Sequence, residues 1–305
     1  MSIKTTMKSK IINSLIHKIV SPPGRFAGGF ILNLFGYHVF RILLFNLPFI
    51  LKNKITLDDS MDKEVLEQIE KDGIAVINDF FPQDVFLEIK KEYDQLNIEV
   101  VNERRPYMKR SAINRGEKHL PAPRIEKYIT NNPFINRIVP AASRKKISIV
   151  PKVQVERGLF YQEDLGKPTT DQESNNLHFD VSYPTFKCFL YMTDTDKNNA
   201  AFTYVKGSQK MTLARLWMEY KMSVLFWFRE AKLNITPEVS HAFIEKQGMK
   251  ITPMIGKSNT LVIANTMGFH RRGDYLTTTP RQLIIMNYRD LDSLKLLRQK
   301  LFEKR

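Results

Sequence analysis

Cysteine is almost absent from this chain, because Cys188 is the single cysteine among 305 residues. One cysteine excludes an internal disulfide bond, and it excludes a zinc or iron–sulfur site built from several cysteines of one chain. Any metal ion must therefore be bound by histidine and carboxylate side chains. The lack of disulfide bonds is also typical of a reducing compartment, and we expect a cytoplasmic protein.

Acidic residues are missing from the first 57 positions, whereas the same stretch contains eight lysines and arginines. The whole chain has a formal net charge of +15. This imbalance favours anionic partners, such as acidic lipid headgroups or phosphorylated and carboxylated substrates. A basic surface can equally serve solubility alone. The sequence contains no signature of a nucleic-acid recognition module, and no nucleic-acid partner is expected.

Residues 30–51 form a long apolar stretch that charged and polar side chains interrupt. Its length would suffice to cross a bilayer. Arg41 lies in its middle, however, where a charge costs about 2.5–3.5 kcal/mol on insertion. We therefore interpret residues 1–55 as a basic and apolar segment that attaches to an anionic membrane surface. Packing against the globular domain or a protein partner, and a true membrane span, stay open as alternatives.

Residues 56–305 are expected to form one α+β domain. Residues 57–70 have the pattern of an amphipathic helix, with Ser60 as the expected N-cap. Pro82 begins a second amphipathic helix, since proline is favoured in the first helical turn. From residue 147 onward, short apolar segments alternate with turn residues, which predicts an antiparallel sandwich.

A helical insertion at residues 210–247 interrupts the predicted strands, and we interpret it as a candidate lid over the site. Its aromatic residues include Trp217 and Trp227, which we expect to shape a substrate pocket. Packing of these aromatic side chains against the sandwich is an equal alternative.

The strongest chemical signal is His178 followed two positions later by Asp180. On a strand, residues i and i+2 point to the same face, so these two side chains can grip one ion while Phe179 points into apolar packing. Alone, such a pair is more often a polar pair at a strand end. His270 follows a second apolar strand, and Gly268 before it allows a close approach. Two histidines and one carboxylate form the facial triad of non-haem Fe(II) oxygenases.

Four segments of the chain resemble the phytanoyl-CoA dioxygenase family of Fe(II)- and 2-oxoglutarate-dependent oxygenases. They are HFD at 178–180, FKCFLYMTD at 186–194, AAFTYVKGS at 200–208 and TLVIANTMGFHRRG at 260–273, the last followed by Arg281. The resemblance covers roughly residues 70–290. It implies a double-stranded β-helix, a jelly-roll or cupin-like core, with flanking helices.

The resemblance also implies roles for individual residues. His178, Asp180 and His270 match the iron ligands, and Arg281 matches the arginine that holds 2-oxoglutarate. An arginine suits this task because its planar guanidinium binds a carboxylate with two parallel hydrogen bonds. Gln154 and Lys152 match, more loosely, a polar position that helps to bind 2-oxoglutarate.

The implied activity is that of a dioxygenase with Fe(II) as cofactor and 2-oxoglutarate and O₂ as cosubstrates. We expect it to hydroxylate a small, lipid or lipid-linked anionic substrate, with release of succinate and CO₂. Asp180 favours hydroxylation over halogenation, because a halogenase of this type needs an open site in place of the carboxylate. Two alternatives stay open, namely an oxidative demethylase of nucleic acid or protein and a non-catalytic jelly-roll binding protein.

Overall fold

The computed structural model describes most of the chain, namely residues 29–51, 57, 59–98, 108–113, 120–144, 151–158, 176–228 and 238–288. The predicted basic segment before residue 29, together with Lys52 and Lys54, lies outside the described residues, as do residues 229–237 of the predicted insertion. The described helices are α1 (Gly29–Leu34), α2 (Tyr37–Leu51), α3 (Ser60–Asp72), α4 (Gln83–Gln95), α5 (Pro123–Ile125, continued by a π-helical turn at Glu126–Thr130), α6 (Pro133–Ala142), α7 (Leu213–Leu225, continued by a 3₁₀ turn at Phe226–Phe228) and α8 (His241–Lys246). The described strands are β1 (Ile74–Ile77), β2 (Met108–Ala112), β3 (Lys152–Gly158), β4 (Phe186–Tyr191), β5 (Phe202–Val205), β6 (Ile251–Pro253), β7 (Leu261–Asn265), β8 (His270–Arg272) and β9 (Arg281–Tyr288).

These strands form two antiparallel sheets, which confirms the predicted combination of helices and antiparallel strands. The larger sheet has six strands in the order β1-β7-β4-β9-β3-β2, and the smaller has three in the order β6-β5-β8. Side chains of both sheets pack together between them, among them Phe189 and Leu283 of the larger sheet and Phe202 and Tyr204 of the smaller. A sandwich interior therefore lies between the sheets, as the alternation of apolar residues predicts.

The outer face of the larger sheet is covered by helices. Val65 of α3, Ile89 of α4 and Ile138 of α6 belong to one buried cluster with Val153 of β3 and Ile284 of β9. Each fully buried aliphatic side chain of this kind contributes about 1.5–3 kcal/mol relative to an exposed one. The helices thus hold the larger sheet rigid from behind while its other face lines the interior.

Helix α3 begins one residue earlier than its expected cap implies. Asp59, and not Ser60, is the N-cap, because its side chain accepts hydrogen bonds from the backbone N–H groups of Met61 and Asp62. The expectation of Ser60 was wrong because both residue types suit the position, and only the local backbone selects between them. The helix ends at Gly73, whose φ of 80° favours glycine.

The helices of the predicted insertion pack on the outer face of the smaller sheet. Met218 of α7 and Ile244 of α8 share a buried cluster with Val205, Phe179 and Phe269. Helices α1 and α2 contact α7 in turn. None of the helices in the described ranges has both the length and the hydropathy to cross a membrane.

Candidate metal centre

Backbone hydrogen bonds bring the three predicted metal ligands to one place. The N–H of His178 donates to the carbonyl of His270 at 3.0 Å, and the N–H of His270 donates back to the carbonyl of His178 at 2.8 Å. The N–H of Asp180 donates to the carbonyl of Thr266 at 3.0 Å. Residues 178–180 therefore run antiparallel to the end of β7 and the start of β8, although they are separated from them by about 90 positions in sequence.

The side chains of His178, Asp180 and His270 meet as the sequence predicts. One candidate ligand atom from each lies within 4.8 Å of the others. Nε2 of His270 is 3.8 Å from Oδ1 of Asp180, and the two imidazole centroids are 4.5 Å apart. Phe179 points away from them into the apolar cluster beneath α7, as strand alternation requires. The arrangement is compact enough for a single ion to contact all three side chains.

Both imidazoles are oriented by backbone carbonyls. Nδ1 of His178 lies 2.8 Å from the carbonyl of Asn176, and Nδ1 of His270 lies 2.9 Å from the carbonyl of Gly268. A carbonyl only accepts, so in the neutral rings Nδ1 carries the proton and Nε2 carries the lone pair. Such a backbone contact is the usual way to fix the tautomer of a metal-binding histidine.

His270 has the protonation state that a metal ligand needs. Burial, followed by the charge of His178, lowers the pKa of His270 to about 3. The ring is therefore neutral at physiological pH. Its Nε2 is buried and makes no hydrogen bond to any residue that the structure describes. A buried nitrogen without a partner costs free energy, and a metal ion at this position would satisfy it.

Gly268 permits the close approach that the sequence analysis expects. A Cβ atom at this position would fall on the hydroxyl and ring of Tyr204. The Tyr204 hydroxyl in turn donates to the carbonyl of Asn265 at 2.8 Å, at the end of β7. The absence of a side chain thus lets the turn before His270 lie against the smaller sheet.

Lys187 is a site residue that the sequence analysis missed. Its Nζ lies 2.7 Å from Oδ2 of Asp180. The contact directs one carboxylate oxygen toward the lysine and leaves Oδ1 on the side of His270. The available signal was alternation in β4, since Lys187 has the same parity as the interior residues Phe189 and Tyr191.

Arg215 is a second missed residue, and it supports the ligands from behind. Its guanidinium is buried and donates to the carbonyls of Ser208 and Met267, the second at 2.7 Å. It also lies 5.0 Å and 4.7 Å from the ring centroids of Phe179 and Phe269, which are adjacent to the ligands. Nothing in the sequence near Arg215 indicates this role, because its partners come from distant strands and turns.

Arg281 lies at the start of β9, as predicted, within a buried cluster of charges. Its Nη2 donates to Oε1 of Glu156 at 2.6 Å, and its Nη1 donates to the carbonyl of Ala200. Arg110 of β2 donates to Oε2 of the same carboxylate through Nε at 3.0 Å. Burial favours the neutral acid, but Arg110, Arg281 and Arg272 outweigh it and lower the pKa of Glu156. One carboxylate thus contacts two arginines, and Arg272 adds a third positive charge nearby.

The two loosely predicted residues, Gln154 and Lys152, lie on β3 and have the same parity as Glu156. Gln154 is half-buried and pairs in register with Ile285, whereas Lys152 is exposed and pairs with Asn287. By alternation both belong to the sheet face that lines the interior. Their predicted contact with 2-oxoglutarate stays a prediction.

Trp217, predicted to shape a pocket, is mostly exposed. Its ring stacks on Tyr220 with 5.2 Å between centroids, and the Tyr220 hydroxyl donates to the carbonyl of Leu34. Trp217 therefore lies near the junction of α7 and α1. Trp227 is half-buried and contacts Phe226 edge to face.

No protein-family model and no curated protein matches this chain. Among solved structures, the epimerase SnoN in complex with Fe3+, alpha ketoglutarate and nogalamycin RO is similar, with a TM-score of 0.54, 12% identity, and coverage of 76% of this chain and 84% of SnoN. A second structure of SnoN, described as a non-heme alpha ketoglutarate dependent epimerase, has a TM-score of 0.52 at 13% identity over the same shares. EctD from S. alaskensis with bound Fe has a TM-score of 0.48 at 12% identity, covering 77% of this chain and 79% of EctD.

At these identities the similarity to SnoN shows a common fold. It confirms the fold type expected from the sequence at the level of helices and antiparallel sheets. The phytanoyl-CoA dioxygenase family itself is not identified by the comparisons, so the resemblance to that family stays a prediction.

Proposed function

We propose that this chain is an Fe(II)- and 2-oxoglutarate-dependent dioxygenase that hydroxylates a small, lipid or lipid-linked anionic substrate. The observation that carries the proposal is the convergence of His178, Asp180 and His270 within 4.8 Å. Two imidazoles and one carboxylate on one face of an ion leave three coordination positions open, which is the ligand set of non-haem Fe(II) oxygenases. SnoN, which has the same fold, is described with Fe3+ and alpha ketoglutarate.

The chemistry of the three side chains fits iron. The backbone carbonyls of Asn176 and Gly268 orient the imidazoles so that Nε2 of each is the metal-binding atom. The buried Nε2 of His270, which has no hydrogen-bond partner within the described part of the chain, would gain one. When bound, iron together with 2-oxoglutarate and O₂ supplies the oxidising power for C–H hydroxylation, with succinate and CO₂ as co-products. The chain's own residues hold and orient the reactants and exclude water.

The arginine cluster suits the distal carboxylate of 2-oxoglutarate. Among the described residues, Nε of Arg281 has no hydrogen-bond partner although it is buried, so a further acceptor would satisfy it. Arg110 and Arg281 contact Glu156 and Arg272 lies close enough to lower its pKa, so this concentration of positive charge suits a second carboxylate. Arg272 follows His270 by two positions on β8, and by alternation it shares the face of that ligand. Arg281 is therefore our proposed anchor for 2-oxoglutarate, with Gln154 and Lys152 as further candidates.

The order of the strands supports the finer assignment of a double-stranded β-helix. A six-stranded and a three-stranded antiparallel sheet enclose the interior, and β8 in the smaller sheet contributes His270.

The proposed substrate class rests on charge and polarity. The basic first 57 residues favour an anionic partner, and a lipid or lipid-linked molecule would supply both charge and apolar surface.

Anaerobic reconstitution with Fe(II) and 2-oxoglutarate tests the proposal. We expect one iron per chain, and succinate release on admission of O₂. Asp180→Ala should lower iron affinity by more than about a hundredfold, since it removes a ligand and not merely a supporting contact. His241→Ala, which changes an exposed histidine outside the site, is the matched control.

A screen of amphiphilic and anionic metabolites under ¹⁸O₂ then identifies the reaction type. Hydroxylation adds one labelled oxygen atom to the product. A product of unchanged mass would instead indicate an epimerase, the activity named for SnoN. Protein that binds no iron, or that binds it equally well after the Asp180→Ala change, would contradict the proposed metal centre.

A further inference from the structure

Helices α1 and α2 and the turn between them expose large apolar side chains, while they bury polar side chains together with Ile42 and Phe45. The buried polar side chains are Asn33, His38, Arg41 and Asn46. The exposed side chains are large and apolar, namely Ile31, Leu32, Leu34, Phe35, Phe40, Leu43 and Leu47. Phe35 is 82% exposed, and Arg41 in the next helix is 1% exposed. An ordinary surface helix of a soluble domain has the opposite polarity.

Specific polar contacts fix this orientation. Nδ2 of Asn46 donates to the carbonyl of Ser182 at 2.7 Å. Nε2 of His38 lies 3.5 Å from Oε2 of Glu219, and Nδ2 of Asn33 donates to the carbonyl of Ser223. If either helix rotated so that its apolar face became buried, the buried groups of Ser182, Ser223 and Glu219 would lose these polar partners. The loss of a partner by a buried polar group costs free energy. The outward apolar face is therefore a built feature of the fold.

The apolar surface continues from α1 onto the α7 region. Phe30 packs edge to face against Phe228, with 5.0 Å between ring centroids, and Phe228 is itself mostly exposed. At the other point of contact, Tyr220 of α7 reaches the carbonyl of Leu34 and stacks on the exposed ring of Trp217. Single exposed apolar side chains are ordinary, but a connected set of this size marks an interaction surface.

We propose that α1, α2 and the exposed edge of the α7 region form a face that inserts into the headgroup layer of an anionic lipid bilayer. Interfacial helices combine such an apolar face with flanking positive charge. The first 57 residues supply that charge, with seven lysines and arginines besides the buried Arg41 and no acidic residue. Aromatic side chains such as Phe35 and Trp217 suit the interfacial region of a bilayer.

Charge also decides between a bilayer and a second copy of this chain. A symmetric dimer through α1 and α2 would bring together two chains that each have a formal net charge of +15, which is electrostatically unfavourable. An anionic bilayer offers the complementary charge, and each lysine or arginine near its surface contributes about 1 kcal/mol. The bilayer is therefore the occupant that fits both the apolar side chains and their flanks.

The proposed membrane face is joined directly to the metal centre. Asn46 of α2 binds the carbonyl of Ser182, two residues after Asp180. The ring of Phe45 lies 5.7 Å from that of Tyr183. The Ser182 hydroxyl donates to Glu219 of α7 at 2.5 Å. A bilayer bound to α1 and α2 would thus contact the same packed unit that carries the segment of His178 and Asp180.

Vesicle flotation of the full chain tests the proposal without any need for iron. The probes are vesicles of phosphatidylcholine alone and of phosphatidylcholine with 30% phosphatidylglycerol. The test variant is Phe35→Asp with Leu43→Asp, and the matched control is Leu87→Asp with Leu276→Asp. All four side chains are exposed, so both variants should fold. Circular dichroism and the melting temperature check this.

We expect the wild-type chain and the control variant to float with the anionic vesicles and less with the neutral ones. The test variant should lose about a hundredfold in partition coefficient, because two large apolar side chains no longer enter the bilayer. Equal flotation of all three proteins, or no flotation of the wild type with anionic vesicles, would overturn the proposal. The proposal would also be overturned if the wild-type chain were a dimer, the test variant were a monomer, and the two proteins floated equally. Iron binding, measured on the same proteins, should not differ, which separates this test from that of the metal centre.

Discussion

Gly268 is the single residue whose replacement probes the geometry of the proposed site most directly. A methyl group at this position falls on the ring of Tyr204 and pushes the turn that orients His270. We expect Gly268→Ala to lower the free energy of unfolding by about 1–3 kcal/mol, the usual cost of overpacking. Iron affinity should fall with it, because the carbonyl of Gly268 holds Nδ1 of His270. Urea denaturation and metal titration measure the two effects.

A double-mutant cycle separates overpacking from loss of glycine flexibility. On a Tyr204→Ala background the added methyl group has space, so Gly268→Ala should cost less than about 0.5 kcal/mol there. The same cost on both backgrounds would mean that the contact with Tyr204 is not the cause.

Single residues also show why part of the site could be predicted and part could not. His178, Asp180 and His270 were recognisable because strand alternation places residues i and i+2 on one face, and the structure brings all three together. Lys187 was overlooked because a lysine in a strand is usually solvated, and only its parity placed it inside. Arg215 could not be found, since its partners are set by tertiary packing alone.

At the scale of secondary-structure elements, Glu156 joins three neighbouring strands. Its carboxylate binds Arg110 of β2 and Arg281 of β9 from its own position on β3. We expect Glu156→Gln to lower the free energy of unfolding by about 3–5 kcal/mol, because it leaves buried arginines without their anion. Glu88→Gln, at a half-exposed carboxylate, should cost less than about 0.5 kcal/mol and is the control.

The same change should alter the response to pH. The folded-state pKa of Glu156 lies below its ordinary value of 4.5. The contribution of the ionised Glu156 carboxylate to the free energy of unfolding is therefore complete above its unfolded-state pKa. This contribution is lost as the pH falls toward the folded-state pKa. Between pH 5 and pH 3, wild-type stability should decline more steeply than that of Glu156→Gln. If urea denaturation shows that the free energy of unfolding of both proteins declines equally between pH 5 and pH 3, this assignment is contradicted.

Most helices and strands could be predicted from sequence patterns, but the surfaces against which they pack could not. The second predicted helix is present at residues 83–95, with Pro82 as its N-cap and not as its first residue, and the short strands after residue 150 lie where alternation placed them. The insertion, predicted as a lid, has helices that pack on the smaller sheet through Met218 and Ile244. Periodicity reports that one face of a helix is apolar, but it cannot report which surface covers that face. For α1 and α2, the buried face includes most of the polar side chains, and large apolar side chains are left exposed.

The whole molecule is a stack in which each layer holds the next. Helices α3, α4 and α6 support the larger sheet, and the interior separates it from the smaller sheet. Helices α7 and α8 cover the smaller sheet, and α1 and α2 lie against α7. The metal centre lies where residues 178–180 join the smaller sheet. Its ligands are thus brought together only by the completed fold.

This dependence predicts that metal binding stabilises the entire protein. The ligands converge in the folded chain and not in the unfolded one, so free metal at a hundred times its dissociation constant should add about 2.7 kcal/mol. For a chain of 305 residues that corresponds to a rise of about 4 °C in melting temperature. Anaerobic Fe(II), or Mn(II) and Co(II) as redox-stable substitutes, should produce the rise in protein without a histidine tag.

Two controls make the measurement specific to the proposed centre. Mg²⁺ prefers an all-oxygen environment, so it should not produce the shift at the same concentration. Asp180→Ala removes one ligand and should abolish most of the rise, whereas His241→Ala should retain it. A rise that persists in Asp180→Ala would place the bound metal elsewhere. A rise confined to proteins with an intact triad would instead show that His178, Asp180 and His270 act as one site, since the remaining two ligands alone hold the ion much more weakly.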